Sequence, residues 1–188
     1  MSKKLNHRVF KFGGASVKDA AAVKNVASII KNQGQLKQLT VVISAMGKTT
    51  NALEAIFKLA TQQKPFQDEF VHLYGYHYQI AEGLFEKEEF KEVVDGLDRY
   101  FIRLENTLSQ VNAYSFHKGY DQVVSFGELI STFLVYRYLR MTGAHVLLKD
   151  ARQVIKTDYT WQEGKVDMDE TCSKVQELWA TELDKHII

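Results

Sequence analysis

The amino-acid sequence predicts an α/β domain with a mostly parallel sheet, and three observations lead there. Its first third alternates short β-branched runs with amphipathic stretches, in the strand–helix–strand–helix order of a βαβ unit. Its middle carries two long stripes of apolar residues at three- and four-residue spacing. Its 188 residues are 45% hydrophobic and 25% charged, ordinary for a globular domain. A chain of this length buries roughly 70% of the surface it exposes unfolded, so its core needs neither a disulfide nor a metal.

Taken in order, "RVFKF" (8–12) reads as a strand and "VKDAAAVKNVASIIKN" as the helix after it. "LTVVISA" (39–45) has the continuous apolar character of a parallel strand buried on both faces. A second helix is expected from about Asn51, with Asn51 and Glu54 as its cap pair. Phe66, Phe70, Leu73, His77, Ile80 and Leu84 then mark one long helix. Phe90, Val93, Leu97, Phe101, Leu104, Leu108 and Val111 mark another. Together they predict an antiparallel helical hairpin over about 66–111, begun by Pro65, the sole proline. The acidic run 82–98, interleaved with Lys87, Lys91 and Arg99, reads as a solvated helix face.

A third long helix is expected over about 121–141, stopped by Gly143. "HVLLKDA" (145–151) reads as a further strand. A loop then leads to a helix from about Asp167, where Asp167 and Glu170 have capping-box spacing. The closing "DKHII" reads as the start of another strand, from which the chain is expected to be a fragment.

The totals exclude several classes of function. A net charge of +1 predicts neither nucleic acid nor an anionic membrane as partner. The single Cys172 permits no internal disulfide and suits a reducing compartment. The first eight residues are polar, without the apolar core of a signal peptide. No apolar run approaches the roughly 20 residues that cross a bilayer, so a cytoplasmic protein is expected. The histidines and Cys172 do not cluster, and His72 and His77, five apart, do not share a helix face, so no metal site is expected.

Three glycine stretches carry the candidate chemistry. In "KFGGAS", Gly13 and Gly14 allow a sharp turn and a close approach of backbone N–H groups to an anion. Ser16 and Asp19 have the spacing of a helix N-cap, which would aim a helix N-terminus at the same spot. Lys11 adds a full positive charge. A plain strand-to-helix turn with a surface lysine would use the same residues.

"VISAMGKTTN" contains the Gly-Lys-Thr of a P-loop, but the glycine that motif requires five residues before Gly47 is Val42. What stands is a small-residue loop at the C-terminal end of a strand, where open α/β sheets bind ligands. Ser44, Thr49 and Thr50 offer hydroxyls there. In "SFGELIS", Glu128 follows Gly127 on a helix apolar on most sides. A carboxylate so placed needs a partner, either an internal Arg or Lys or the ammonium group of a ligand.

Together these stretches resemble the aspartate kinases of the amino-acid kinase superfamily. "KFGGASV" is similar to that family's opening phosphate loop, with Ala15 where threonine is commoner. "VVISAMGKTTN" is similar to its second-strand loop, "SFGELIS" to its Gly-Glu helix, and "DARQVIKTD" to its Asp-x-Arg segment. The resemblance covers essentially the whole chain, in the same order. It implies a three-layer α/β/α amino-acid kinase fold, with a mostly parallel central sheet that is incomplete here and an inserted helical hairpin. The activity it implies is phosphoryl transfer from MgATP to the side-chain carboxylate of L-aspartate, the entry to lysine, threonine and methionine synthesis.

The resemblance also assigns roles. Lys11, Phe12, Gly13, Gly14, Ser16 and Ser44 would hold the nucleotide's phosphates, with Lys11 as the catalytic residue. Ser44, Thr49, Thr50 and Glu128 would bind aspartate, Glu128 through its ammonium group. Asp150 and Arg152 are read as structural. Mg2+ would arrive with ATP, and the full-length protein would be a homo-oligomer. The family's later Gly-Arg-Gly-Gly-Ser-Asp type loop, second lysine, adenine pocket and ACT domains are not in these 188 residues. A non-catalytic module that binds aspartate or pairs with a longer subunit is the competing reading, and a kinase for another acid is a third.

Overall fold

In the computed structural model, which describes residues 7–32 and 39–181, two strands and seven α-helices build an α/β fold. Strand β1 (Arg8–Phe12) pairs in parallel with β2 (Leu39–Ile43), Arg8 opposite Leu39 and Phe12 opposite Ile43. Helix α1 (Ala20–Lys31) makes the crossover side, and α2 (Thr49–Thr61) follows β2. The two long stripes become α3 (Gln67–Leu84) and α4 (Lys87–Ser109). After them come α5 (Phe116–Val124), α6 (Phe126–Met141) and α7 (Met168–Thr181).

The hairpin of α3 and α4 is antiparallel, as its contacts descend on one helix while they climb on the other. Phe70 packs edge-on to Phe101, the Tyr74 hydroxyl donates to Asp98 at 2.7 Å, and Tyr78 packs on Phe90. The acidic run lies outside this seam and is exposed, apart from the half-buried Asp98. Its one ion pair among the described residues joins Glu92 to Arg137 of α6. Helix α6 is buried on several sides and touches α1, α2, α4 and β2, so it forms the centre of the core. Its end has the expected geometry. Gly143, at φ +86, donates to the Arg140 carbonyl while Ala144 donates to that of Leu139, the paired bonds of a Schellman stop.

Several local expectations change. Asp19, not Ser16, caps α1, its carboxylate accepting the Ala22 N–H at 2.8 Å. Ser16 lies in a single 3-10 turn (Gly14–Val17) that precedes the helix. Helix α2 begins at Thr49, two residues before the expected cap, and Glu54 instead accepts a hydrogen bond from Tyr120. The single helix expected over 121–141 breaks at Ser125, whose hydroxyl bonds back to the Gln122 carbonyl. Such back-bonding competes with the helix ladder.

Residues 145–151 form no strand. A shallow groove lined by Val41, Ile43, Val146 and Leu148, together with Val135 and Leu139 of α6, separates them from β2. Within the segment Val146 takes part only in an isolated bridge, which is short of the ladder a strand requires. Nor is β2 buried on both faces among the described residues, where Val9 and Val42 stand 61% and 45% exposed on one side of the sheet. The cap of α7 is as expected, Asp167 accepting the Glu170 N–H at 2.9 Å. The strand read in "DKHII" and the polar first residues lie outside the described residues. No described helix is long and apolar enough to cross a membrane.

Candidate functional site

The C-terminal ends of two parallel strands bring their following loops side by side, and here those loops are bonded together. Ser44 N–H donates to the Phe12 carbonyl and Gly47 N–H to the Gly14 carbonyl, both at 3.0 Å. The approach is close enough that a Cβ on Gly14 would stand 2.6 Å from the Ala45 carbonyl oxygen. Gly47 holds φ +52, in the left-handed region that glycine tolerates best. The two glycines therefore have packing and backbone reasons to be glycine.

Gly13 has neither. Its φ of −76 and ψ of 168 suit any residue, and among the described residues nothing beyond its chain neighbours lies within 4 Å of where its Cβ would be. The Gly14 and Ala15 amides just beyond it find no acceptor among the described residues, whereas Ser16 N–H turns back to the Gly13 carbonyl at 2.9 Å. This is an outward-facing backbone surface with spare donors. Lys11 stands exposed two residues before it and makes no ion pair among the described residues.

The third wall comes from α6. Gly127 packs so tightly on the second loop that a Cβ there would meet Ala45 Cβ at 2.8 Å, with Thr49 and Leu53 behind it. That contact places Glu128 in the first turn of the helix, where its Oε1 accepts the Ala45 N–H at 3.2 Å. The carboxylate is exposed, so the burial that demanded an internal cation partner is absent. Its partner within the protein is a backbone amide, and its remaining lone pairs face outward. One turn further, the Ser131 hydroxyl donates to the Ser44 carbonyl at 2.8 Å and ties the helix to the same loop.

The sequence-predicted residues thus divide. Gly13, Gly14, Ser44 and Glu128 come together at the strand ends, with Lys11 and Phe12 on the strand that leads in and exposed Ser16 in the turn that leads out. Thr50 is half-buried in the first turn of α2. Thr49 turns away from the opening. It is 2% exposed, and its hydroxyl lies 3.3 Å from Nε2 of the buried His77. Burial drives the His77 pKa down to about 4, although the bond between Nδ1 and the Leu73 carbonyl at 2.8 Å pulls the other way.

Asp150 and Arg152 form a two-pronged pair, Nε to Oδ1 at 3.0 Å and Nη2 to Oδ2 at 2.6 Å. The guanidinium holds the Asp150 carboxyl below its ordinary range. Arg152 Nη1 also reaches the Ser125 hydroxyl at 3.3 Å, which fastens this segment to the start of α6. The residues not singled out from sequence are Tyr76 and, as part of the site, His77. A histidine on the core stripe of α3 was the available signal, since a buried imidazole must find hydrogen-bond partners.

Comparison with known proteins gives the family and the fold. The family model described as Amino acid kinase family matches residues 6–183. Aspartokinase 2 (chloroplastic) of Arabidopsis thaliana is 31% identical over 157 residues, covering 80% of this chain and 28% of that protein. The aspartokinase of Chlamydia muridarum is 27% identical over 173 residues, covering 91% of this chain and 35% of its own length. The crystal structure of Escherichia coli aspartokinase III in complex with aspartate and ADP superposes with a TM-score of 0.85 at 23% identity, over 97% of this chain and 40% of that one. The chain thus spans well under half the length of these relatives.

Proposed function

The chain belongs to the amino acid kinase family, and on that premise we propose that it supplies the amino-acid side and first phosphate loop of an aspartate kinase. The reaction is transfer of the γ-phosphoryl group of MgATP to the side-chain carboxylate of L-aspartate, giving 4-phospho-L-aspartate and ADP. One observation carries the reading. Among the described residues Gly13 is a glycine that neither its backbone angles nor its packing requires, beside two amides that find no acceptor there, and both features suit a phosphate approaching the backbone.

The donor set fits the groups this reaction brings. When bound, MgATP supplies the phosphoryl group and a divalent charge. The protein's part is to hold anions close together, because the β-carboxylate, with an ordinary pKa of about 3.9, is ionised at neutral pH and needs no general base. Lys11 and the amides at Gly14 and Ala15 oppose the phosphate charge, and preorganised donors of this kind stabilise the charge of a phosphoryl-transfer transition state. Phe12 and Ser16 frame that turn. Ser44 stands between the two ligands, and Glu128 receives the ammonium group of aspartate. Thr50 borders the aspartate side, while Thr49 supports the loop from within rather than touching substrate. Cytoplasmic location, self-association of the complete protein and a place at the head of lysine, threonine and methionine synthesis go with this reading.

Titration calorimetry of the chain with L-aspartate, L-glutamate and N-acetylglutamate tests it. Selective L-aspartate binding that Glu128→Ala abolishes is expected. Preference for glutamate, unaffected by Glu128→Ala, would overturn it.

A further inference from the structure

Two consecutive side chains of helix α3 support the ligand loops, Tyr76 touching both and His77 the second. The Tyr76 hydroxyl donates to the Lys18 carbonyl at 2.5 Å, at the exit of the glycine turn. The same hydroxyl abuts Gly47, where a Cβ would stand 2.6 Å from it. Gly47 in turn donates its N–H to the Gly14 carbonyl. One phenol oxygen therefore touches the first loop by a hydrogen bond and the second by van der Waals contact.

His77 completes the arrangement from inside. Its Nδ1 faces the Leu73 carbonyl, an acceptor, so the proton of the neutral ring sits on Nδ1 and Nε2 is left to accept from the Thr49 hydroxyl. Thr49 opens α2, and its own N–H donates to the Met46 carbonyl inside the second loop. The imidazole is held by the Tyr76 and Phe101 rings, at centroid distances of 5.0 and 5.9 Å. His77 is fully buried and Tyr76 is half-buried.

We propose that Tyr76 and His77 are positioning residues that set the spacing of the two ligand loops, so that the α3 and α4 hairpin governs the geometry of the site. The identity of the ligand rests on the function proposed above, but the spacing of the loops does not. Loops bonded to each other at few points open locally when a support is lost, and backbone amide exchange reports that opening.

Amide hydrogen exchange by NMR on the whole chain, with L-aspartate calorimetry in parallel, tests this for Tyr76→Phe, His77→Gln and His77→Leu. Tyr76→Phe removes one oxygen and keeps the ring. His77→Leu keeps volume without an acceptor, and His77→Gln restores an acceptor for Thr49. Tyr76→Phe and His77→Leu should exchange the Gly47 and Ala45 amides about 10-fold faster and bind L-aspartate about 10-fold more weakly, with the Leu97 and Leu104 amides of α4 unchanged. His77→Gln should stay within about 3-fold of wild type. Unchanged Gly47 exchange in Tyr76→Phe, or acceleration spread equally over α4, would overturn the proposal. If wild type does not bind L-aspartate, the proposed function fails, and the exchange rates still decide this inference.

Discussion

The α-carbon of Gly14 faces the carbonyl oxygen of Ala45 so closely that a methyl group on it would come within 2.6 Å of that oxygen. Both atoms belong to main chain held on either side, by Ser44 N–H to the Phe12 carbonyl and Gly47 N–H to the Gly14 carbonyl. The contact cannot be relieved by turning a side chain. It ties the glycine turn to the loop whose Ala45 amide meets Glu128.

Two neighbouring glycines should therefore respond differently to the same added methyl. Gly14→Ala forces the loops apart, at a cost of about 1–3 kcal/mol by the usual range for overpacking. Gly13→Ala has room and an ordinary backbone, so its stability should change by less than about 0.5 kcal/mol. It should nevertheless weaken nucleotide binding in the complete enzyme, because the methyl fills the approach to the backbone donors. Urea unfolding of both variants, with ADP binding for Gly13→Ala, checks the pair. Equal destabilisation would mean that the turn tolerates no side chain anywhere.

Glu128 makes a cleaner case than its neighbours because its internal bond and its proposed ligand contact need different things. Accepting from Ala45 N–H requires an oxygen, whereas holding an ammonium group also profits from the charge. Glu128→Gln should keep the fold and the wild-type urea midpoint while L-aspartate affinity falls by about 10-fold or more. Unaltered affinity would assign Glu128 to loop support alone.

How much of this could be read from the sequence depended on whether a feature was local. The strand and glycine turn at 8–14, the stripe of Leu73, His77, Ile80 and Leu84, and the stop at Gly143 are set by neighbours along the chain, and the structure has them where the pattern put them. The break at Ser125 was hidden because the apolar spacing runs on through it, and the back-bond that ends α5 competes with a ladder of similar strength. The run at 145–151 is reduced to an isolated bridge at Val146, because the length of a ladder is set by pairing with segments distant along the chain and not by local propensity. In the site, glycines and a carboxylate were visible as types. That Glu128 would meet the Ala45 amide across the fold, and that Thr49 would turn inward to His77, depends on contacts between distant segments.

His77 gives the protein a measurable acid sensitivity. An unfolded chain binds its proton near the ordinary pKa of 6.5, the native ring only near 4. Between those values the unfolded state carries the extra proton, so stability rises with pH through that window and falls as the medium is acidified. The loss from pH 7 to pH 4 is about 3 kcal/mol, and no more accrues once the native ring is also charged. Asp150, held below its ordinary range by Arg152, gives up its contribution only at lower pH, below the ordinary aspartate value. Urea midpoints at several pH values from 7 to 4 should fall steeply in wild type and less steeply in His77→Gln. Parallel curves would show that His77 is not the titrating group.

Lys11 offers the sharpest division between fold and chemistry. It stands exposed at the end of β1, opposite Val42, with no ion pair among the described residues, so the fold draws little from its charge. Lys11→Ala should therefore unfold in urea within about 0.5 kcal/mol of wild type, as surface substitutions usually do. In the complete enzyme the same change removes a cation from the path along which one anion is brought to another. The loss of one such preorganised stabiliser lowers kcat by about 100-fold or more. Lys11→Arg keeps the charge but spreads it over a planar fork on a different reach, so it should recover only part of the rate. Comparing kcat and the urea midpoint across the three proteins separates the outcomes. A stable Lys11→Ala with a large fall in kcat places the lysine at the transferring phosphoryl group. A stable variant with near-normal kcat removes it from the chemistry and leaves the Gly14 and Ala15 amides to hold the phosphate alone.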